Sequence, residues 1–237
     1  MKDVPSKIQP LARKAWIPIV EEGDGGRAAS KFSGTPLLAH GETWPECPNC
    51  SKPMQLFLQL NLDELPEPVR EEFGKGILQM FYCTSVNPLC EDQCEAYFPF
   101  AKSALLRIVP TTDNAGGTEL PEIAGGFPSK LIITWTEVDD YPNFEEVAAQ
   151  GVELTDEEGN QWIEQEFPRA GDKLAGWPNW IQGVEYPDCP MCGERMRLVF
   201  QIDSEDNLPY MFGDVGCGHI TQCRTHKDRL AFGWACS

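Results

Sequence analysis

Cys47 and Cys50 in "PECPNCSKPMQLFLQL" and Cys189 and Cys192 in "PDCPMCGERMRLVFQI" are two Pro-flanked C-x-x-C pairs. Each is followed by a Met and an alternating apolar run. Two thiols at this spacing on a tight turn have the bite of a tetrahedral metal site, which four soft or borderline ligands complete. In the second copy Cys223-Arg-Thr-His226 lies 31 positions beyond Cys192 and supplies the missing pair. Cys189, Cys192, Cys223 and His226 therefore form one expected ligand set. In the first copy Cys83, Cys90 and Cys94 follow Cys47 and Cys50, so three thiols compete for two places. Cys83 ends a strand-like run, as Cys223 does, and is selected on that ground. Cys90 is taken as the fourth ligand with Cys94 in reserve, because Cys90-x-x-x-Cys94 is also a legitimate spacing for a metal pair. Exchanges of Cys94 for Cys90 or Cys83, and of Cys217 for His226, stay open. Two structural zinc ions are the expected cofactors.

The rival chemistry is a redox dithiol. Thioredoxin-like C-x-x-C motifs follow a strand and open a helix. Here each motif precedes a strand-like run and carries Pro inside it, with no βαβ pattern around it. Among the remaining candidates, Cys217 reads as a turn residue, Cys236 as a core or surface thiol, His219 as a structural residue, and His40 lacks ligand partners. Asp203 and Asp214 flank "SEDNLPYMFG" as carboxylates paired in sequence, and capping or solvation is the simpler use of them. No G-x-S-x-G elbow, P-loop or nucleotide-binding glycine fingerprint occurs.

The elements that must carry the cysteines are themselves repeated. Residues 31–61 align with 173–203 at a constant offset of 142 without a gap, and eleven positions are identical. These include Lys31/Lys173, Gly34/Gly176, Pro36/Pro178, Gly41/Gly183, Met54/Met196 and Gln59/Gln201. Gly76 and Gly218 keep the same offset, and each opens a short run that ends at Cys83 or Cys223. Such internal similarity implies duplication. Each half offers three candidate strands, 55–61, 76–83 and 103–109, then 197–203, 218–223 and 230–236, with two more at 15–21 and 130–138. Their β-branched and aromatic content and their Gly, Pro and Asn boundaries favour strands. Helix signals are confined to 62–73 and to 143–150, where Asn143 is a candidate N-cap. The stretch 110–128 reads as loop and 151–168 as an acidic surface insertion. The expected fold is mainly β: residues 1–237 form one unit, with a first repeat at 31–109, a connecting insertion at 110–172 and a second repeat at 173–237. Three or four strands alone are marginal, so the halves are expected to share a core.

Charge restricts the function. Formal net charge is -18, which argues against gripping nucleic acid through its phosphates, since that takes a basic patch. The same field suits a basic protein partner, although solubility alone also explains it. No apolar run is long enough for a membrane helix, and the N-terminal stretch lacks the unbroken apolar segment of a secretory leader. A cytoplasmic protein with reduced thiols is expected.

"KFSGTPLLAHGETWPECPNC", "LQMFYCTSVNPLC", "GWPNWIQ" and "QID…MFGDVG" together resemble the YwqG-like family of uncharacterised bacterial proteins, from about residue 30 onward. The C-x-x-C before an apolar strand and the later "FYC" also resemble the programmed-cell-death-protein-2 family and its yeast ribosome-biogenesis relative. The resemblance implies a duplicated β-rich fold and a protein-binding role, since the eukaryotic members are chaperones of a basic small-subunit ribosomal protein. The expectation is a non-enzymatic, zinc-stabilised binder of a basic client, chaperone-like or inhibitory. The alternatives are an immunity or toxin-associated protein, or an enzyme with a pocket between the repeats. Trp177, Trp180 and Gln182 are candidates for a binding strip, with burial the simpler fate of the tryptophans.

Overall fold

The computed structural model describes residues 4–111, 121, 123 and 125–237. Ten strands form one antiparallel sheet: β1 (Arg13–Glu22), β2 (Lys31–Phe32), β3 (Gln55–Asn61), β4 (Ile77–Tyr82), β5 (Ala104–Val109), β6 (Lys130–Asp140), β7 (Lys173–Ala175), β8 (Arg197–Asp203), β9 (Cys217–Gln222) and β10 (Leu230–Ala235). Their order is β10-β9-β8-β7-β1-β6-β2-β3-β4-β5. The two edges, β5 and β10, approach each other, and the Trp234 amide donates to the Tyr97 carbonyl at 3.1 Å, so the sheet is nearly closed like a barrel. Near-closure leaves little exposed edge for unwanted pairing.

Each half runs in the same order: one long strand, one very short strand, then a three-stranded meander. The long strands are exchanged. β1 pairs with β7 of the second half, β6 pairs with β2 of the first, and β1 and β6 pair with each other along their length. The segment 110–172, expected to connect the halves, thus contributes the central strand β6.

Alternation explains the core. On β4, Leu78, Met80 and Tyr82 face the interior while Phe81 packs on the outer face; on β10, Leu230, Phe232 and Trp234 face in and Ala231 out. Aromatic rings of both halves meet inside, with Phe32 and Phe200 at 5.9 Å, Phe57 and Phe212 at 6.1 Å, and Tyr82 and Phe232 at 5.8 Å. The halves therefore share one core, as two small sheets would need.

The repeat is reproduced down to single hydrogen bonds. Gln59 accepts from the Leu37 amide and donates to the carbonyls of Arg27 and Ala29. Gln201 does the same with Asn179, Arg169 and Gly171. Lys31, fully buried, donates to Asp24 at 2.7 Å and to the Thr35 carbonyl; Lys173, also fully buried, donates to Asp140 at 2.9 Å and to the Arg169 carbonyl. Gly34 (φ 86°) and Gly176 (φ 77°) sit against these same carboxylates, where a Cβ would collide with Asp24 Oδ1 or Asp140 Oδ2. Both β3 and β8 also carry a register shift at the same place, at Phe57 and at Val199.

Several expectations need correction. Register pairs Ile77 with Asn61 and Cys217 with Asp203, so Gly76 corresponds to Gly216 and not to Gly218. A Cβ on Gly76 would strike the Val109 carbonyl, and one on Gly216 the Ala235 carbonyl, which accounts for both glycines. Residues 62–73 hold two 3-10 turns, Leu62–Glu64 and Glu67–Val69, in place of a helix; Pro66 and Pro68 cannot donate to an α-helical ladder. Among the described residues there are three short α-helices: α1 (Cys90–Gln93), α2 (Phe144–Ala149) and α3 (Asp156–Ile163). Asn143 caps α2 by accepting from the Glu146 amide at 2.8 Å. The expected surface insertion at 151–168 contains α3, whose Thr155–Glu158 capping box was readable as T-x-x-E. Its Trp162 is buried against Ile8 and Val147. Most of the loop expected at 110–128 lies outside the described residues.

Candidate metal centres

Each C-x-x-C sits on a knuckle that the local sequence builds twice. The Cys47 amide donates to the Lys52 carbonyl, the Ser51 amide to the Cys47 carbonyl, and the Met54 amide to the Pro45 carbonyl. In the second half the same three bonds join Cys189 to Glu194, Gly193 to Cys189 and Met196 to Pro187. The turn needs a left-handed residue, and Gly193 (φ 71°) adopts that conformation at less steric cost than Ser51 (φ 56°). β3 and β8 leave the knuckles directly. β4 and β9 run beside them and deliver Cys83 and Cys223 immediately beyond their last residues. Cys90 arrives as the first residue of α1, and His226 from the turn after β9.

The ligand atoms converge into two groups of four, Cys47, Cys50, Cys83 and Cys90, and Cys189, Cys192, Cys223 and His226. Within each group all four atoms lie within 4.8 Å of one another. Measured edges are 3.9 Å for Cys47–Cys90, 3.7 Å for Cys50–Cys83, 3.6 Å for Cys192–Cys223, and 3.8 and 3.7 Å from His226 Nδ1 to Cys189 and Cys223. A tetrahedron with metal–sulfur bonds of ~2.3 Å has S···S edges of ~3.8 Å. A disulfide would bring two sulfurs to ~2.05 Å. The spacing is thus that of four ligands around one ion.

Amide donors favour the thiolate at some of these sulfurs, while burial opposes it at others. Amide N–H groups of Met191 and His226 point at Cys189 Sγ (3.4 Å) and Cys223 Sγ (3.3 Å), and the Asn49 side-chain amide at Cys90 Sγ (3.2 Å). Burial works against the Cys189 thiolate, but its amide bonds from Met191 and Cys192 outweigh it and hold the thiol below its ordinary range. Burial pushes the Cys83 thiol well up and the Cys90 thiol up to about 11. Four negative sulfurs so close need a cation to coexist.

Cys94, the reserve ligand, lies just beyond the first group and is half-buried. Cys217 is fully buried on β9, 3.7 Å from His219 Nε2 and apart from the second group; Cys236 is half-buried beside Gly213. His219 is buried beneath Trp180, ring to ring 4.5 Å, and burial drives its pKa down to about 3, so it is neutral. His40 is exposed. Asp203 accepts from the amides of Gly171 and Ser204, while Asp214 is exposed on another loop. Of the expected strip, Trp177 is buried with its indole donating to the Leu11 carbonyl, Trp180 is half-buried against Tyr186, and Gln182 donates to the Cys236 carbonyl. Sequence reasoning missed the buried Lys31–Asp24 and Lys173–Asp140 pairs, although the identity of both lysines in the repeat was their signal.

A family model described as "Domain of unknown function (DUF1963)" matches residues 30–222, across both knuckles and the first meander, and ends with β9, before Cys223, His226 and β10. The chain belongs to the DUF1963 family. That description names no activity, so it supplies no chemistry for the two centres. A stretch of 40 residues is 38% identical to "Uncharacterized protein YpfL" of Salmonella typhimurium, covering 17% of this chain and 9% of that protein. This DUF1963 chain therefore spans under a tenth of the length of the curated relative it matches. No helix among the described residues is long and apolar enough to cross a membrane.

Proposed function

We propose that this DUF1963 protein is a zinc-stapled, non-enzymatic module that binds a basic protein in the cytoplasm. The donor sets support zinc as the ion: four thiolates in one centre and three thiolates with one imidazole in the other are soft, closed tetrahedra. A catalytic centre would keep one position for water. Each ion would tie a knuckle to the end of the neighbouring meander, so metal-ligand energy acts as folding energy.

The observation that carries the binding role is an acidic cap. Residues 141–168 hold eight Asp and Glu residues and no Lys or Arg. Glu145, Glu153, Asp156, Glu157 and Glu166 of that stretch are exposed around α2 and α3, with Phe144 and Ile163 exposed among them. Beside them lies a cleft of about 440 Å3 lined by Val138, Tyr141, Glu166 and Phe167. Arg169 also lines the cleft, but exposed apolar side chains among mostly acidic neighbours are the makings of an interface for a cationic partner. The resemblance to the YwqG-like and programmed-cell-death-protein-2 families points the same way, towards a ribosomal-protein type of client.

The zinc-loaded protein and a Glu145→Lys/Asp156→Lys/Glu157→Lys variant should be compared for retention of total small-subunit ribosomal proteins on a column. The wild type is expected to retain one or a few basic proteins and to release them as salt rises, and the variant to retain none. Retention by both alike, or by neither, would end the reading.

A further inference from the structure

In a chain with 37 acidic and 19 basic side chains, one concavity runs against the field. Arg13, Arg195, Arg197 and Arg224 all line a cavity of about 200 Å3 on the second half, with Glu146 its single acidic residue. An adjoining concavity of about 410 Å3 shares Arg13, Arg197 and Arg224 and adds Lys14. Arginines drawn together in this way repel one another; Arg224 works against both Arg197 and Lys227. Glu72 offsets part of that repulsion for Arg197, and Glu146 for Arg13 and Arg195.

Aromatic rings hold three of the guanidinium planes. Arg13 stacks on Trp177 with its guanidinium carbon 3.2 Å from the ring centre, Arg195 lies over Tyr186 at 5.4 Å, and Arg197 over Phe73 at 4.7 Å. Stacking fixes a guanidinium plane without using its N–H groups. Arg197 gives both terminal nitrogens to Glu72, and its buried Nε is left with no hydrogen-bond partner. Arg224 is exposed and forms no ion pair among the described residues. Glu146, 2% exposed, is the counter-charge to Arg13 and Arg195 inside the cavity, with Tyr186 and Trp180 beside it, and it leaves Arg224 unmatched.

The duplication provides an internal control. By register and position, Arg195, Arg197 and Arg224 correspond to Pro53, Gln55 and Thr84 in the first half. The first half folds the same meander and knuckle with no charge at any of the three. The arginines are therefore not a requirement of the scaffold.

We propose that this cavity is a binding site for a small phosphate-bearing ligand, with Arg195, Arg197 and Arg224 as its anion contacts. Several guanidinium forks converging on one small space suit the three oxygens of a phosphate better than a lone carboxylate. The acidic surface all around opposes a polyanion, so the ligand is compact. This site stands apart from the acidic cap and does not depend on it.

Titration of the metal-loaded protein with inorganic phosphate and with phenyl phosphate, at constant ionic strength and read by calorimetry and phosphorus NMR, tests the proposal. Wild type and an Arg229→Ala control, altered at an exposed arginine outside the cavity, are expected to bind saturably. Arg195→Gln and Arg224→Ala should bind roughly tenfold more weakly, the cost of one charge-assisted contact, while keeping native circular dichroism and metal content. Tighter binding of the ester assigns the site to a phosphorylated small molecule, and equal binding assigns it to the phosphate group itself. Absence of saturable binding in the wild type, or binding undiminished in both arginine variants, would overturn it.

Discussion

Replacing Cys189 by Ser is expected to remove one of two metal ions per chain and to lower stability by about 3–5 kcal/mol. Structural zinc contributes an apparent ~10–16 kcal/mol to isolated finger peptides, which have little else to hold them. Here the shared aromatic core stands behind the centre, so the loss is a fraction of that figure. Cys189 is buried in a small cluster with Met196, Cys223 and Ala231, separate from the main core. The damage should therefore be local to the second knuckle and the turn that carries His226. Cys217→Ser is the informative comparison, because Cys217 is a buried thiol of β9 that belongs to neither group of four. It should keep both ions. Elemental analysis together with urea unfolding separates the two; a Cys189→Ser protein with full metal content would show that the thiol is not a ligand.

The second large effect is expected at the buried lysines. Lys173→Met should destabilise the chain by about 3–5 kcal/mol, since it leaves the Asp140 carboxylate buried without its cation. Both partners of that pair are fully buried, and Asp140 also accepts from the amides of Arg169 and Trp177. Burial drags the Lys173 ammonium down while Asp140 holds it up, so the pair persists by mutual support. Lys31→Met removes the equivalent lysine, but its partner Asp24 is 37% exposed and can rehydrate. The first-half substitution should therefore cost clearly less than the second-half one. Equal losses in urea unfolding would mean that the ammonium, and not the stranded carboxylate, sets the cost.

What the sequence made legible follows from what each interaction requires. Cysteines at C-x-x-C spacing are rare and positioned by local turns, so all eight expected ligand residues could be found by counting, and the structure gathers them into two groups of four. Spacing alone does not separate Cys90 from Cys94, since either is legitimate for a metal pair. Geometry separates them because α1 begins at Cys90 and turns Cys94 one helical turn away. The six meander strands were readable from alternation, whereas β2 and β7, two and three residues long, were not. They exist because Lys31 and Lys173 are anchored by carboxylates that do not share the repeat offset. Asp24 follows β1 and Asp140 ends β6, so each acid lies in its lysine's own half but at a different distance along the chain, and alignment of the repeats does not pair them. The arginine-lined cavity was invisible for a similar reason: β1, the segment before β8 and the turn after β9 each contribute part of it.

Metal per chain, measured by elemental analysis of untagged protein with free thiols titrated in denaturant, tests the central claim most directly. The account predicts two zinc ions per chain with the thiols reduced. No metal, with the cysteines oxidised in pairs, would contradict it and make the repeated knuckles a pair of redox dithiols.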